Sequence, residues 1–241
     1  MNQIEDSSYL LSTTYFGPIQ WYQKLCRYDC LIDGEERFIK QTYRNRCVIA
    51  TTQGTQALTV PVEHVEVNEE CRMKNEESLH ANDSSFFILH SSFIKDILIS
   101  DHGNWRHLHW NALKSAYGES PFFEYYADDI RPFFEKKWKY LWDFNLEIME
   151  KMCELLQIDR LPLTIDHSKD TPTNVQCSMV NVQSLKDFRT AIQPKHPKED
   201  PDFTPITYYQ VYQQKNGFIP NLSILDLLFN MGNEAILYLI P

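Results

Sequence analysis

The chain opens as strand, helix and strand, and this order constrains its fold more than any other feature of the sequence. Residues Ser8–Thr14 are predicted to form a strand, which the turn Gly17-Pro18 ends. Proline suits the first position of a helix, so we expect a helix over Ile19–Tyr28. A second short strand, Cys30–Asp33, ends in a turn at Gly34. Such an opening is typical of a sheet with helices packed against it.

Strands lead in this sequence and helices dominate later. The later elements expected from the hydrophobic pattern are a hairpin that returns over Gln56–Val62, strands over Ile94–Ile99 and Leu161–Ile165, and helices over Asn104–Tyr117, Pro132–Ile158 and Leu225–Phe229. This order predicts the class α/β (or α+β), with a Rossmann-like N-terminal sheet followed by a mainly helical half. We expect one domain over residues 1–241, in which the polar and charged stretch 63–85 is a surface insertion.

The composition argues against several classes of protein. The formal net charge is −10, whereas a nucleic-acid-binding protein needs a basic face. No run of ~18 apolar residues occurs, so membrane insertion is not expected. The N-terminus lacks the cationic start and apolar core of a signal peptide, and the six cysteines show no CxxC pairing. We therefore expect a cytoplasmic protein with reduced thiols, whose cofactors and oligomeric state the sequence leaves unknown.

The segment 37–48 gives the most direct indication of a ligand. If this segment is an extended strand, Lys40, Arg44 and Arg46 share one face, because side chains alternate along a strand. Neighbouring arginines can bind a carboxylate or phosphate with paired hydrogen bonds. The alternative is an ordinary solvated face, since such residues also decorate exposed strands. Asn45 points the other way, where a buried amide needs hydrogen-bond partners.

A histidine-rich helix is the second candidate site. His109 falls in the middle of its apolar stripe, with His102 near the edge and Arg106 on a neighbouring stripe. His109 has three interpretations: a buried histidine with a hydrogen-bond partner, a general acid or base, or a metal ligand. His102 and His109 lie ~10 Å apart along the helix axis, so one ion cannot bridge them directly and no metal site is expected. In the catalytic interpretation, Asp101 orients the imidazole.

The turn Thr14–Pro18 is the third candidate, because helix N-termini attract anions and ligands often lie beyond the carboxyl ends of strands. The chain has seven glycines and contains neither a glycine-rich phosphate loop nor a GxSxG motif. A phosphate site at this turn therefore rests on a single glycine.

Five segments of the chain also form a familiar set. They are Tyr15-Phe16-x-Pro18 before an aromatic helix, Lys40 with the pair Asn45-Arg46, Val60-Pro61-Val62, Asp101-His102-Gly103-Asn104-Trp105-Arg106, and a C-terminal motif from Asn221 to Gly232. Together they resemble the WbqC-like protein family over nearly the whole chain. The chain departs from that family in a shorter turn after Pro18 and a longer loop at 63–85.

The resemblance implies a bacterial protein. Some members of this family are encoded among O-antigen genes, and a role in transferring glycine to a sugar has been suggested. It therefore implies an enzyme of surface-polysaccharide biosynthesis that transfers an acyl or aminoacyl group to an amino or nucleotide sugar.

In this hypothesis the residues that bind a small anionic or sugar substrate are Tyr15, Lys40, Arg44, Asn45, Arg46 and Arg106. The residues that transfer the proton are His102 or His109, with Asp101 as the orienting group. The alternative hypothesis is a non-catalytic protein that binds an anion or a partner with the same basic face.

Overall fold

The structure is a computed structural model that describes residues 8–63, 93–165 and 185–240. Its strands are β1 (Ser8–Leu11), β2 (Asp29–Asp33), β3 (Arg46–Thr51), β4 (Gly54–Thr59), β5 (Leu163–Ile165) and β6 (Lys186–Asp187). Its α-helices are α1 (Ile19–Arg27), α2 (Trp105–Tyr117), α3 (Phe123–Ile130), α4 (Pro132–Glu135), α5 (Leu141–Leu155), α6 (Gln213–Asn216) and α7 (Ile224–Met231). Beyond its first residue, the expected insertion at 63–85 lies outside the described residues.

Four of the strands form one parallel sheet in the order β5-β2-β1-β6. On one side of β1, Leu11 lies opposite Ile32 of β2, and on the other side Leu10 lies opposite Asp187 of β6. Tyr9 and Leu11 are fully buried, as expected for the central part of a parallel sheet. The α/β class predicted from the sequence is confirmed. Strands β3 and β4 form a separate antiparallel hairpin.

Helix α1 connects β1 to β2 and packs its aromatic face inward. Pro18 is the extended residue immediately before the helix, with φ −72°. Trp21, Tyr22 and Leu25 are almost fully buried, so the aromatic residues of this helix are packing residues. The helix ends at Arg27, one residue earlier than expected, because the chain turns extended at Tyr28 to enter β2.

An aromatic core joins the sheet to the later helices. Phe16, in the turn after β1, packs against Phe133 at a ring distance of 5.9 Å and against Phe134 at 6.1 Å. Phe144 of α5 packs against Trp138 at 5.2 Å. Aromatic pairs of this kind contribute about 0.5–1.5 kcal/mol each beyond the area that they bury. The high aromatic content is therefore used mainly to fix the helices against the first βα turn.

Two expected elements are wrong. The strand predicted over 94–99 is a single 3₁₀ turn, Ile94–Asp96, followed by isolated bridges. The long helix predicted over 132–158 is two helices, α4 and α5, separated by extended residues. The reason is tertiary pairing: Leu141 N donates to Ile97 O, and Ile99 N donates to Lys139 O, each at 2.9 Å. Helix α3 had not been predicted.

The helices of the described part are short. The longest, α5, has 15 residues, whereas a transmembrane helix needs about 20. No helix in residues 8–63, 93–165 and 185–240 is long and apolar enough to cross a membrane.

Candidate functional site

The parallel sheet has a topological switch point between β1 and β6. From β1 the chain passes to β2 on one side, and later it returns to place β6 on the other side. In open parallel sheets, ligands bind beyond the carboxyl ends of the strands at such a point. The residues found there are Ser12 after β1, Glu36 after β2 and Arg189 after β6. The carboxyl edge of the sheet, between β1 and β6, is therefore the candidate site.

A buried carboxylate organises this edge. Glu36 Oε1 accepts from Arg44 Nε at 3.1 Å, and Oε2 accepts from Arg44 Nη2 at 2.7 Å. Ser12 Oγ donates to the same Oε2 at 2.8 Å. Burial raises the pKa of Glu36, while its ion pair with Arg44 opposes the shift. We call Ser12, Glu36 and Arg44 the Glu36 cluster.

The backbone beneath the cluster is fixed by side chains from two helices. Trp21 Nε1 of α1 donates to Ser12 O at 2.9 Å. Asn145 of α5 donates its Nδ2 to Thr13 Oγ1 at 3.0 Å and to Arg44 O at 2.8 Å. The segment after β1 and the turn that carries Arg44 are thus held by one amide. Within the described residues, Asn145 Oδ1 has no hydrogen-bond partner of its own.

Arg189 forms the rim of this edge. Its guanidinium binds Asp187 Oδ2 through Nη2 at 2.7 Å and Asp33 Oδ2 through Nη1 at 3.3 Å. Its backbone carbonyl accepts from Arg44 Nη2 at 3.2 Å, which joins the rim to the Glu36 cluster. The Arg189 side chain is 27% exposed, whereas those of Glu36 and Arg44 are 3% exposed. Arg189 is therefore the cation of this edge that a solute meets first.

The structure corrects the cationic strand face. Strand β3 begins only at Arg46, and the residues before it form a turn in which Gln41 has φ 62° and Asn45 N donates to Thr42 O. Arg44 is consequently buried against Glu36 and does not share a face with the exposed Lys40. The prediction that Lys40, Arg44 and Arg46 share one strand face was wrong because these residues span a turn.

The remaining polar residues of this turn have separate partners. Arg46 Nε donates to Thr59 Oγ1 on β4 at 2.9 Å. Asn45 is buried, and its Nδ2 donates to Val60 O at 3.0 Å. Asn45 and Arg46 therefore anchor the hairpin to the turn, and their role in binding a substrate stays a prediction.

His109 is buried, and its ring interacts with Tyr15 and with the backbone of Thr59. Its Nδ1 lies 2.9 Å from Tyr15 Oη, and a second hydrogen bond joins the ring to the backbone of Thr59. A carbonyl only accepts, so the other nitrogen carries the proton and Nδ1 accepts from Tyr15. Burial lowers the pKa of His109 from 6.5 to about 4. Its burial and its bond to Tyr15 are those of a neutral packing histidine.

Of the other predicted residues in the histidine-rich segment, Asp101 and His102 lie on the surface, whereas the Arg106 side chain is only 13% exposed. His102 is exposed in a 3₁₀ turn before α2. Asp101 Oδ1 accepts from Arg106 Nη1, and its other oxygen lies 2.9 Å from Lys137 Nζ. The hydrogen bonds from Lys137 and Arg106 lower the pKa of Asp101. Asp101 therefore pairs with cations and does not orient an imidazole.

The N-terminus of α1 is closed by another part of the chain. Ile19 N donates to Leu222 O at 3.0 Å, and Gln20 N donates to Asn221 Oδ1 at 2.9 Å. Asn221 also donates its Nδ2 to Gln20 Oε1 at 3.0 Å. Because these two donors are satisfied within the chain, they are not free to bind an anion, which goes against the anion site predicted for this turn. The C-terminal motif caps the helix instead.

The described residues offer no group of three or more His, Cys, Asp or Glu side chains that could hold a metal ion. At the carboxyl edge of the sheet the charged groups are paired with one another: Glu36 with Arg44, and Arg189 with Asp33 and Asp187.

Comparison with known proteins places the chain in a family. The family model described as the WbqC-like protein family matches residues 12–84 and 88–238. The chain belongs to the WbqC-like protein family. This WbqC-like protein is also 27% identical over 249 residues to the uncharacterized protein Rv1507c of Mycobacterium tuberculosis, a match that covers 98% of the chain and 96% of that relative. No solved structure matches it significantly.

Sequence reasoning missed three residues of the WbqC-like protein's sheet edge: Ser12, Glu36 and Arg189. The run of hydroxyl residues directly after β1 was a usable signal for Ser12, because side chains at that position face the switch point. Glu36 and Arg44 are eight residues apart and meet through a turn, which no spacing rule anticipates. Arg189 follows a strand of only two residues, which leaves almost no pattern in the sequence.

Proposed function

We propose that this WbqC-like protein is a cytoplasmic group-transfer enzyme of surface-polysaccharide (O-antigen) biosynthesis. It transfers an acyl or aminoacyl group to an amino or nucleotide sugar at the carboxyl edge of the parallel sheet. The pathway is inferred from the family resemblance. The observation that carries the site is the Glu36 cluster at the switch point, since a buried carboxylate hydrogen-bonded to a hydroxyl is suited to move a proton during acyl transfer.

Glu36 is the proton acceptor in this proposal. Acyl transfer to an amine or hydroxyl needs a base that removes a proton as the new bond forms. Burial raises the pKa of Glu36, so it holds a proton more readily than a surface carboxylate does. Arg44 binds both carboxylate oxygens and fixes their direction. His109 does not serve here because it is buried and its Nδ1 is bonded to Tyr15.

The substrate's phosphate or carboxylate is assigned to the rim. Arg189 is half-buried at this rim, so it presents positive charge to solvent; Arg46, half-buried on the hairpin, and the exposed Lys40 are further cations that a substrate could meet. Paired guanidinium hydrogen bonds suit phosphate and carboxylate groups. Arg189 can exchange Asp33 or Asp187 for such a ligand without exposing a buried charge, which Arg44 cannot do.

The alternative is a protein that binds an anion without catalysis. That hypothesis relied on Arg44 as a free cation, but Arg44 is buried and neutralised by Glu36. A simple anion-binding pocket gains nothing from a carboxylate at its centre, whereas a transfer enzyme needs one as a base. The Glu36 cluster therefore favours the enzyme.

A thermal-shift screen tests the proposal. The purified protein is heated with nucleotide sugars, acyl-coenzyme A thioesters and a glycyl donor, each at about one hundred times its dissociation constant. Such a ligand stabilises the native state by about 2.7 kcal/mol, which corresponds to a rise in melting temperature of roughly 5–10 °C. We expect Arg189→Ala to abolish the shift.

Arg131→Ala is the matched control, because Arg131 is also ion-paired and lies on an exposed helix end. It should keep the full shift. Ligands that bind are then mixed in pairs, and the product sugar is examined by mass spectrometry for an added acyl group. Binding without any transfer would support the non-catalytic alternative, and an equal loss of shift in both variants would contradict the site.

A further inference from the structure

The Glu36 cluster has the three parts of an activated nucleophile. Ser12 Oγ lies 2.8 Å from Glu36 Oε2, within reach of direct proton transfer. Glu36 is in turn held by two hydrogen bonds from Arg44, at 3.1 and 2.7 Å. A hydroxyl, a base within hydrogen-bond distance and a third group that orients the base are what covalent catalysis requires.

Two other buried serines, Ser120 and Ser223, have different partners. Ser120 Oγ donates to Tyr117 O at 2.6 Å, and Ser223 Oγ donates to Phe16 O at 2.7 Å. Both hydroxyls therefore satisfy backbone carbonyls. Ser12 Oγ also lies 3.1 Å from a backbone carbonyl, Arg189 O, but among the serines in the described part of the chain it is the one with a carboxylate as its nearer acceptor, at 2.8 Å.

The position of Ser12 is fixed, and Ser12 is less deeply buried than the residues beside it. Its carbonyl oxygen accepts a hydrogen bond from the indole N–H of Trp21, which holds its backbone in place. Ser12 keeps 9% of its surface exposed, whereas its neighbour Thr13 and the amide beneath it, Asn145, keep 1% each. Of these three residues, Ser12 is the least deeply buried.

We propose that Ser12 is the nucleophile of a two-step transfer through a covalent acyl-serine. This inference rests on the proposed function and adds the order of bond making. In the first step, Ser12 Oγ attacks the carbonyl carbon of a thioester donor. The oxygen–carbon bond forms, the carbon–sulfur bond breaks, and the proton passes from Ser12 through Glu36 to the departing thiolate.

In the second step, the amino group of the sugar attacks the same carbonyl carbon. The nitrogen–carbon bond forms and the bond to Ser12 Oγ breaks. Glu36 takes the proton from the attacking amine and returns it to Ser12. The two steps together convert a thioester and an amine into an amide and a thiol, and the enzyme is regenerated without any further reactant.

Acetylation by p-nitrophenyl acetate, a small activated ester, tests this nucleophile without knowledge of the natural donor. The full-length protein is incubated with the ester, digested, and its peptides are examined by mass spectrometry. We expect one acetyl group on the peptide that contains Ser12, and we expect hydroxylamine to remove it, as it removes esters. Ser12→Ala should abolish that label.

Two variants provide the comparison. Ser100→Ala, which alters a partly exposed serine far along the chain, should leave the label on Ser12 unchanged. Glu36→Gln should lower the rate of acetylation about a hundredfold, the effect of losing a general base. If Glu36→Gln fails to fold because Arg44 loses its counter-ion, the comparison of Ser12→Ala with Ser100→Ala still decides the question.

The outcomes separate the inference from the proposed function. Acetylation of Ser12 at no greater rate than Ser100 overturns the nucleophile. So does sugar acylation that continues at the wild-type rate in Ser12→Ala, which would mean direct transfer and would leave the proposed function intact. Loss of sugar acylation in Ser12→Ala together with a labelled wild-type Ser12 supports the covalent route.

Discussion

Replacing His109 by glutamine distinguishes a structural imidazole from one that exchanges protons with a substrate. Glutamine can keep one donor and one acceptor towards Thr59 and Tyr15, but it does not titrate. The structure predicts that His109 stays neutral in the folded protein, because burial lowers its pKa from 6.5 to about 4. The consequence is a pH-dependent contribution of His109 to stability that the variant lacks.

The sign of this contribution follows from the direction of the shift. The folded pKa is depressed, so the unfolded chain binds a proton at a higher pH than the folded chain does. Above the unfolded pKa of 6.5 both states are neutral and the full stability is present. As the pH falls towards about 4, protonation of the unfolded state alone removes stability, and at about pH 5 the loss amounts to about 2 kcal/mol.

Urea denaturation of the wild type and His109→Gln at about pH 8 and about pH 5 measures this term. The wild type should lose about 2 kcal/mol more than the variant between the two conditions. His107→Gln, on the exposed face of the same helix, is the control and should track the wild type. Parallel losses in the wild type and His109→Gln would refute the buried, neutral histidine.

Three further predictions concern groups that hold the fold together. Asp226 is fully buried between Tyr208 and Tyr117, and burial raises its pKa to about 6. The buried carboxylate therefore destabilises the folded protein above about pH 6 and not at low pH, where it is protonated in both states. Relative to wild type, Asp226→Asn should gain about 2 kcal/mol of unfolding free energy between about pH 4 and pH 7.5. Gly17→Ala places a Cβ 2.4 Å from Thr14 Oγ1 and should cost about 1–3 kcal/mol in urea denaturation, partly restored by Thr14→Ala. Asn221→Gly keeps the left-handed backbone at φ 55° but removes the side chain that caps α1, so calorimetry should show about 1 kcal/mol less unfolding free energy. Asn221→Ala should lose more, because alanine also disfavours the left-handed backbone.

The opening of the chain was predictable because its signals are local. Pro18 and the apolar residues after it located α1 to within one residue at its end, and β2 to within one residue at its start. Hydrophobic period and proline act within a few residues of the element that they define. Where structure depends on such local preferences, the sequence alone was sufficient.

The failures occurred where distant contacts decide the backbone. The segment before β3 has strand-like residues, but Thr42 and Arg44 are buried by a turn that brings Arg44 to Glu36. The helix predicted over 132–158 is broken because Leu141 and Lys139 pair with the segment around Ile97 and Ile99. Helix and strand propensities depend on local sequence and carry no information about distant partners, so tertiary pairing overrides them.

In the candidate site, too, local features were predictable and long-range contacts were not. The histidine-rich helix exists as expected, yet burial gave His109 two partners and left His102 on the surface. The residues that converge at the switch point come from three strand ends, separated in sequence by most of the chain. Their convergence depends on strand order, which is set by the whole fold rather than by any single motif.

Amide hydrogen exchange tests most directly whether the carboxyl edge of the parallel sheet is the binding site. The protein is labelled with and without the compound that gives the largest thermal shift, and protection is compared peptide by peptide. Protection concentrated in residues 12–16, 33–37 and 187–190 is the predicted result, because these segments carry Ser12, Glu36 and Arg189. Protection confined to residues 100–110, around His102 and Arg106, would contradict it.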